Sequence, residues 1–378
     1  MSFYELLGRF SKVFKKGPVW VLLRIRYELR SPSFRTTKRV MVAFKTVEKM
    51  VCSLFYKDDS FDEDYVTAVY DLNTQTETFD FSIFLAGAEL FAQKNGKESF
   101  VVLFVLPNKD HEVIGSKLNN PLFEEGMFRW RFENIVLSLV NLCPACIGYS
   151  VLPKNLSLSE EIKGKLVFPE FYDGKYNPTD FSREVFQSEN KFVGLRATVQ
   201  GIKYIKSWKE SNKIMDNIVT ITLRNYTYLE VRNSNIPEWV KFAKLVRSEG
   251  FTPVFVPDTF TCFEKDNRLD GFIVFRDPCW NLSLRMALYE QSYLNFSVAS
   301  GPACICHVNK KVNAICMKQL TENSSYNNES FYKDMGIKIG QRKYPFAEEH
   351  QILSWEEDNF ESISEEFYKF LKNHPRSS

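Results

Sequence analysis

Arg224 follows an apolar run, Ile218-Val219-Thr220-Ile221-Thr222-Leu223, and Arg232 opens a polar stretch a few residues on, Arg232-Asn233-Ser234-Asn235. A guanidinium at a strand end suits phosphate, because its planar fork donates paired hydrogen bonds. Ser300-Gly301-Pro302 offers a second kind of anion contact. The free N–H groups of a helix start, with the serine hydroxyl, receive a diphosphate. Glycine admits a close ligand and proline suits the first helical turn. An ordinary strand-to-helix turn has the same composition. Arg285 and Glu290 belong to one predicted helix, Leu282 to Gln291, but do not share one face. One points to a ligand crevice and the other to solvent, where a carboxylate near the mouth meets ribose hydroxyls; surface charges fit the same spacing. Asp71 and Asp80 are the candidate proton acceptors of the first half. Asp71 ends a predicted strand, whereas Asp80 serves equally as a cap for the helix that follows it.

These residues need strands that end together. Val66 to Tyr70, Phe100 to Leu106 and Ile147 to Leu152 are predicted strands, with helices over Ser82–Lys94 and Phe128–Leu139 between them. In the second half Ile218 to Leu223, Pro253 to Pro257 and Leu294 to Val298 are strands, with helices over Pro237–Ser248 and Leu282–Gln291. A helix is expected over Phe192–Lys209, a polar loop over 320–342 and a closing helix over Glu361–Asn373. Strand, polar loop, helix, strand is the order of a parallel α/β domain, and such sheets bind ligands beyond the carboxyl ends of their strands.

The 378-residue length makes two domains the natural expectation. The expected division is a basic, helical N-terminal extension over 1–60, a first α/β domain with its linker over 61–190, a second α/β domain over 191–345 and a closing segment over 346–378. The abundance of Phe (34) and Tyr (17) supplies a large core. A net charge of +2 argues against a dedicated nucleic-acid binder. The charge is uneven, however. The first fifty residues hold twelve Lys and Arg against three Glu, and the C-terminal segment is acidic. A basic amphipathic start suits an anionic membrane surface or a helix pair packed on the body. No leader peptide and no spanning segment is expected, which points to a cytoplasmic protein, peripheral at the inner membrane if residues 1–50 meet lipid.

Two short motifs carry little. Cys143-Pro144-Ala145-Cys146 precedes a strand instead of following one, and the four His (111, 307, 350, 374) are scattered, so reduced structural thiols are expected and no metal site. Asp62-Glu63-Asp64 has the form of a metal-dependent sugar transferase signature, but it lies before its strand and fits a solvated loop.

Tyr70-Asp71-Leu72, Thr78-Phe79-Asp80-Phe81, Leu223-Arg224, Arg232-Asn233-Ser234-Asn235, Arg285 to Glu290, Ser300-Gly301-Pro302 and Pro345-Phe346-Ala347 together resemble a bacterial family associated with surface-polysaccharide genes. The likeness covers about residues 65–370. More distantly, the second half resembles the donor half of GT-B glycosyltransferases such as the heptosyltransferases. The resemblance implies two Rossmann-like domains facing across a cleft, a nucleotide-sugar as donor substrate, no cofactor and no metal requirement. Arg224, Arg232, Asn233, Asn235, Arg285, Ser300 and Gly301 would then hold the donor, with Glu290 on the ribose and Asp71 or Asp80 as base. A glycan or lipid-linked glycan would be the acceptor. The second reading of the same fold is a nucleotide-sugar epimerase or hydrolase, and a binding or scaffold protein remains the non-catalytic alternative. One departure is that the Ser-Gly-Pro turn continues as Ala303-Cys304-Ile305-Cys306, without the histidine-containing helix of many heptosyltransferases.

Overall fold

Tyr-Val-Thr-Ala-Val-Tyr-Asp forms the strand β1 (Tyr65–Asp71), buried at every position after the first. An apolar run without polar alternation fits a strand covered on both faces. With β2 (Ser99–Val105), β3 (Cys146–Val151) and β4 (Val167–Phe168) it makes a parallel sheet in the order β3-β2-β1-β4. The computed structural model describes residues 64–107, 127–153, 155–170, 172, 178–189, 192–215, 217–321 and 327–375. The basic extension and residues Asp62 and Glu63 of the acidic motif lie outside them.

The helix α1 (Phe81–Lys94) packs Phe81 and Phe84 against Tyr70, with ring centroids 4.6 and 4.9 Å away. The predicted helix over 128–139 runs from Met127 to Leu142 as α2 (Met127–Arg131), a π-helical turn (Phe132–Val136) and α3 (Leu137–Leu142). The polar linker predicted over 153–190 holds β4 and two helices, α4 (Leu158–Glu161) and α5 (Pro178–Gln187).

The chain then enters the second half through a pinned crossover. The Glu89 carboxylate of α1 accepts the N–H groups of Val193 (2.5 Å) and Gly194 (3.0 Å). Gly194 has φ +68°, and a Cβ there would stand 2.0 Å from the Val308 carbonyl oxygen. That backbone cannot continue a helix, so the helix predicted from Phe192 starts only at α6 (Val199–Ser211), where Thr198 Oγ1 caps Gly201 N at 3.0 Å.

The second sheet combines β5 (Ile218–Thr222), β6 (Thr252–Val256), β7 (Ile273–Val274), β8 (Leu294–Val298), β9 (Ala314–Met317) and β10 (Gln351–Leu353). All are parallel, in the order β10-β9-β8-β5-β6-β7. Its helices are α7 (Ile236–Ser248), α8 (Asp277–Trp280), α9 (Leu282–Gln291), α10 (Gly301–His307), α11 (Glu329–Met335) and α12 (Phe360–Asn373). The stretch predicted as a loop over 320–342 therefore contains α11. Asn328 Oδ1 caps it by accepting from Phe331 N, and Gly336 at φ +74° ends it.

Trp239, Phe242, Phe296 and Phe367 meet in one core. Each such ring stabilises the fold by roughly 1.5–3 kcal/mol, an upper figure because the unfolded chain already buries some apolar surface. Buried Asp358 fastens the C-terminal segment by accepting from Asn235 N (2.7 Å) and Trp239 Nε1 (2.8 Å). All described residues belong to one compact unit, a mixed α/β architecture of two parallel sheets.

Candidate functional site

Strand order reverses between β5 and β8 in the second sheet and between β1 and β4 in the first. At such a switch point the loops leave in opposite directions and open a crevice. In the first sheet that crevice is closed. Tyr172, just beyond β4, donates its hydroxyl to Asp71 Oδ2 at 2.6 Å, while Asp71 Oδ1 accepts from Asn73 N and Nδ2 at 2.8 and 2.7 Å. Both carboxylate oxygens are engaged and the residue is buried, so Asp71 is absent from the cleft walls. It is a closing contact, and the candidate base of the first half is Asp80.

The crevice of the second sheet opens into a cleft of about 990 Å³ shared by both halves. Arg224, Arg232, Arg285, Ser300, Gly301 and Asp80 all line it. Asp80 begins α1 without a side-chain cap, and its Oδ2 accepts from Thr78 Oγ1 at 3.1 Å. Its side chain is exposed and opens onto the cleft; the walls that surround it still raise its pKa, against the pull of Thr78 and of the Arg232 charge in the opposite half.

The two arginines differ in what they have left to give. The Arg224 fork is spent on its own loop. Nη1 donates to Leu229 O (3.1 Å) and Asn233 Oδ1, and Nη2 donates to Tyr228 O (2.5 Å). Arg232 spans the switch point, donating Nη2 to Ala299 O at the end of β8 at 2.9 Å, while its buried Nε has no partner among the described residues. Burial, then the Arg232 charge, pushes the Arg224 pKa down to about 10; burial lowers that of Arg232 as well. Both remain cations at neutral pH. Two neighbouring cations short of solvent are the electrostatic demand that an anion meets.

Arg285 is buried, held by Nε to Pro278 O at 2.8 Å. Asn233, Asn235 and Glu290 do not line the cleft. Asn233 folds the loop, its Oδ1 accepting from Tyr226 N (3.1 Å) and its Nδ2 donating to Tyr226 O (3.0 Å). Asn235 begins α7 and is tied to Asp358 through its backbone. Glu290 turns to the crossover instead of a ribose position. Its Oε1 accepts from Ala197 N (2.8 Å) and Asn309 Nδ2 (2.7 Å). Gly301 is small for a protein neighbour: a Cβ there would lie 2.5 Å from Phe79 Cδ2 of the first half.

Other cleft residues carry chemistry that strand and loop patterns did not single out. Asp258, just past β6, accepts from Phe260 N (2.9 Å) and Asn225 N (3.2 Å), and burial raises its pKa against those bonds and Arg224. Its place at a strand end was the available signal. His307 at the end of α10 also lines the cleft. The helix that follows Ser-Gly-Pro therefore does contain a histidine, one turn beyond Cys304, which corrects the departure read from the sequence. Among the described residues no group of three or more His, Cys, Asp or Glu is arranged to hold a metal, and no helix is long and apolar enough to cross a membrane.

The sequence matches no family model and no curated protein. Among solved structures it is similar to a glycosyl transferase family 9 protein from Veillonella parvula (10% identity, 82% of this chain and 97% of that one, TM-score 0.42). It is likewise similar to the E. coli ADP-heptose LPS heptosyltransferase II (9%, 82% and 100%, TM-score 0.44) and to E. coli heptosyltransferase WaaC with ADP (10%, 81% and 100%, TM-score 0.40).

Proposed function

We propose that this protein is a glycosyltransferase that takes a sugar from a nucleotide-sugar and passes it to a glycan or lipid-linked acceptor in surface polysaccharide synthesis. The observation that carries the proposal is the pairing of Arg232, at the switch point of one sheet, with Asp80 on the facing wall of the same cleft. A donor diphosphate against Arg232 and Arg224 relieves their mutual repulsion. As the bond from the sugar to the diphosphate breaks, the negative charge builds where the guanidiniums already stand, the role a metal plays elsewhere. The acceptor hydroxyl attacks the anomeric carbon, its proton passes to the Asp80 carboxylate, and the nucleoside diphosphate leaves. A carboxylate whose pKa is raised by the walls of the cleft is a stronger base than one in open water. Residues 1–50 would bring the enzyme to an anionic membrane surface.

Asp258 favours one second reading. It is a second carboxylate of raised pKa on the same cleft, as epimerisation or hydrolysis of a nucleotide-sugar requires. Incubation with nucleotide-sugars, with and without bacterial glycan acceptors, tests the proposal. Nucleoside diphosphate released only with acceptor supports transfer. Equal release without acceptor, or an epimerised donor, favours the second reading.

A further inference from the structure

The cleft continues past Arg232 over the ends of β8 and β9, and its character changes there. Tyr332, Met335 and Ile337 form a buried apolar cluster with Phe331 and Tyr344 packed against it, and all five line the cleft. The polar groups at this end are already paired with one another. Tyr332 Oη donates to Gln319 O (2.8 Å) and accepts from Asn327 Nδ2 (2.8 Å), and Gln319 Nε2 donates to Cys316 O (2.9 Å). His307 differs: it is 4% exposed, neither ring nitrogen has a hydrogen-bond partner among the described residues, and Tyr344 meets its ring edge-on at 5.1 Å. A buried imidazole with two empty positions is costly unless a ligand fills them.

We infer that this inner end receives the nucleobase of the donor and that His307 reads the base's hydrogen-bonding edge. The inference rests on the glycosyltransferase proposal and adds its specificity determinant. A neutral imidazole offers one donor and one acceptor on diverging sides of the ring, so the edge of a nucleobase can meet one of them. Burial alone pushes the His307 pKa down to about 4, so the ring is uncharged at neutral pH and does not serve phosphate. A sugar in the same place would leave most of its hydroxyls facing Met335, Ile337 and aromatic rings without partners. A flat base loses little there, and Arg232, whose Nε is also unpartnered, stands where the diphosphate would begin.

The test is calorimetric binding of ADP, GDP, UDP, CDP and inorganic pyrophosphate to the wild type, His307→Leu and His307→Asn, with ligand-free melting as the check on folding. The expected result is that one base binds the wild type best. His307→Leu binds that nucleotide about ten- to a hundred-fold more weakly and loses the ranking of bases. Pyrophosphate binding is unchanged, and His307→Asn, which keeps a donor and an acceptor, recovers part of the loss. A His307→Leu protein that keeps both affinity and ranking overturns the inference, because His307 is then only a core residue. Equal loss of pyrophosphate binding also overturns it, by placing His307 at the phosphates. Wild type that binds none of the five overturns the nucleotide-sugar proposal itself, and this inference with it.

Discussion

Phe79 of the first half fills the space that any side chain at position 301 of the second half would need. A Cβ on Gly301 would stand 2.5 Å from Phe79 Cδ2 and 3.3 Å from Phe79 Cβ. The contact joins the residue next to Asp80 with the residue next to Ser300, so it sets the width of the cleft at its working point. Gly301→Ala should therefore move Asp80 from the proposed donor site. Small displacements of this kind cost up to about a hundred-fold in rate. Phe79→Ala in the same chain should restore part of it. Steady-state kinetics of the two single variants and the double variant check this.

Asp80 separates function from stability. Its folded-state pKa is raised, so the stability it contributes is present at low pH and lost as pH rises through that value. Asp80→Asn should accordingly melt at or above the wild type at pH 7, with the difference fading in the acid range. Turnover should fall by about 10²–10⁴-fold, the usual contribution of a general base. The acid limb of the wild-type rate profile should lie above the ordinary aspartate range. Parallel melting and pH–rate measurements read both effects.

His307 predicts an acid weakness. Its pKa falls from 6.5 to about 4 on folding, so the unfolded chain binds the extra proton first. Stability should drop as pH falls through that window, by about 3 kcal/mol at roughly 1.4 kcal/mol per unit. Ligand-free denaturation between pH 7 and pH 4 should show this slope in the wild type and lose it in His307→Leu.

Strand ends were legible because long apolar runs and the turns after them are local. Leu282–Gln291 and Leu294–Val298 form as their patterns require, and Arg224, Arg232 and Ser300 follow from where strands stop. The short strands β4, β7 and β10 carry two or three residues and no readable period. Asp71 and Glu290 were beyond local reading for another reason. What fixes Asp71 is Tyr172, 101 residues on, and what fixes Glu290 is Ala197, 93 residues back. Arg224 has the same lesson at short range: its spacing suits phosphate, yet the loop carbonyls from 228 and 229 take its fork.

The most direct measurement is the thermal shift given by UDP, GDP, CDP, ADP and CMP to the wild type and to Arg232→Gln. Arg232→Gln is the cleaner variant, because Arg224 also holds its loop together. A nucleotide at a hundred times its dissociation constant should stabilise the wild type by about 2.7 kcal/mol. The account predicts that one diphosphate does so and that Arg232→Gln, folded and of similar ligand-free stability, loses most of the shift. A wild type that no nucleotide stabilises, or an Arg232→Gln protein that responds equally, would contradict the placing of the donor diphosphate at this switch point.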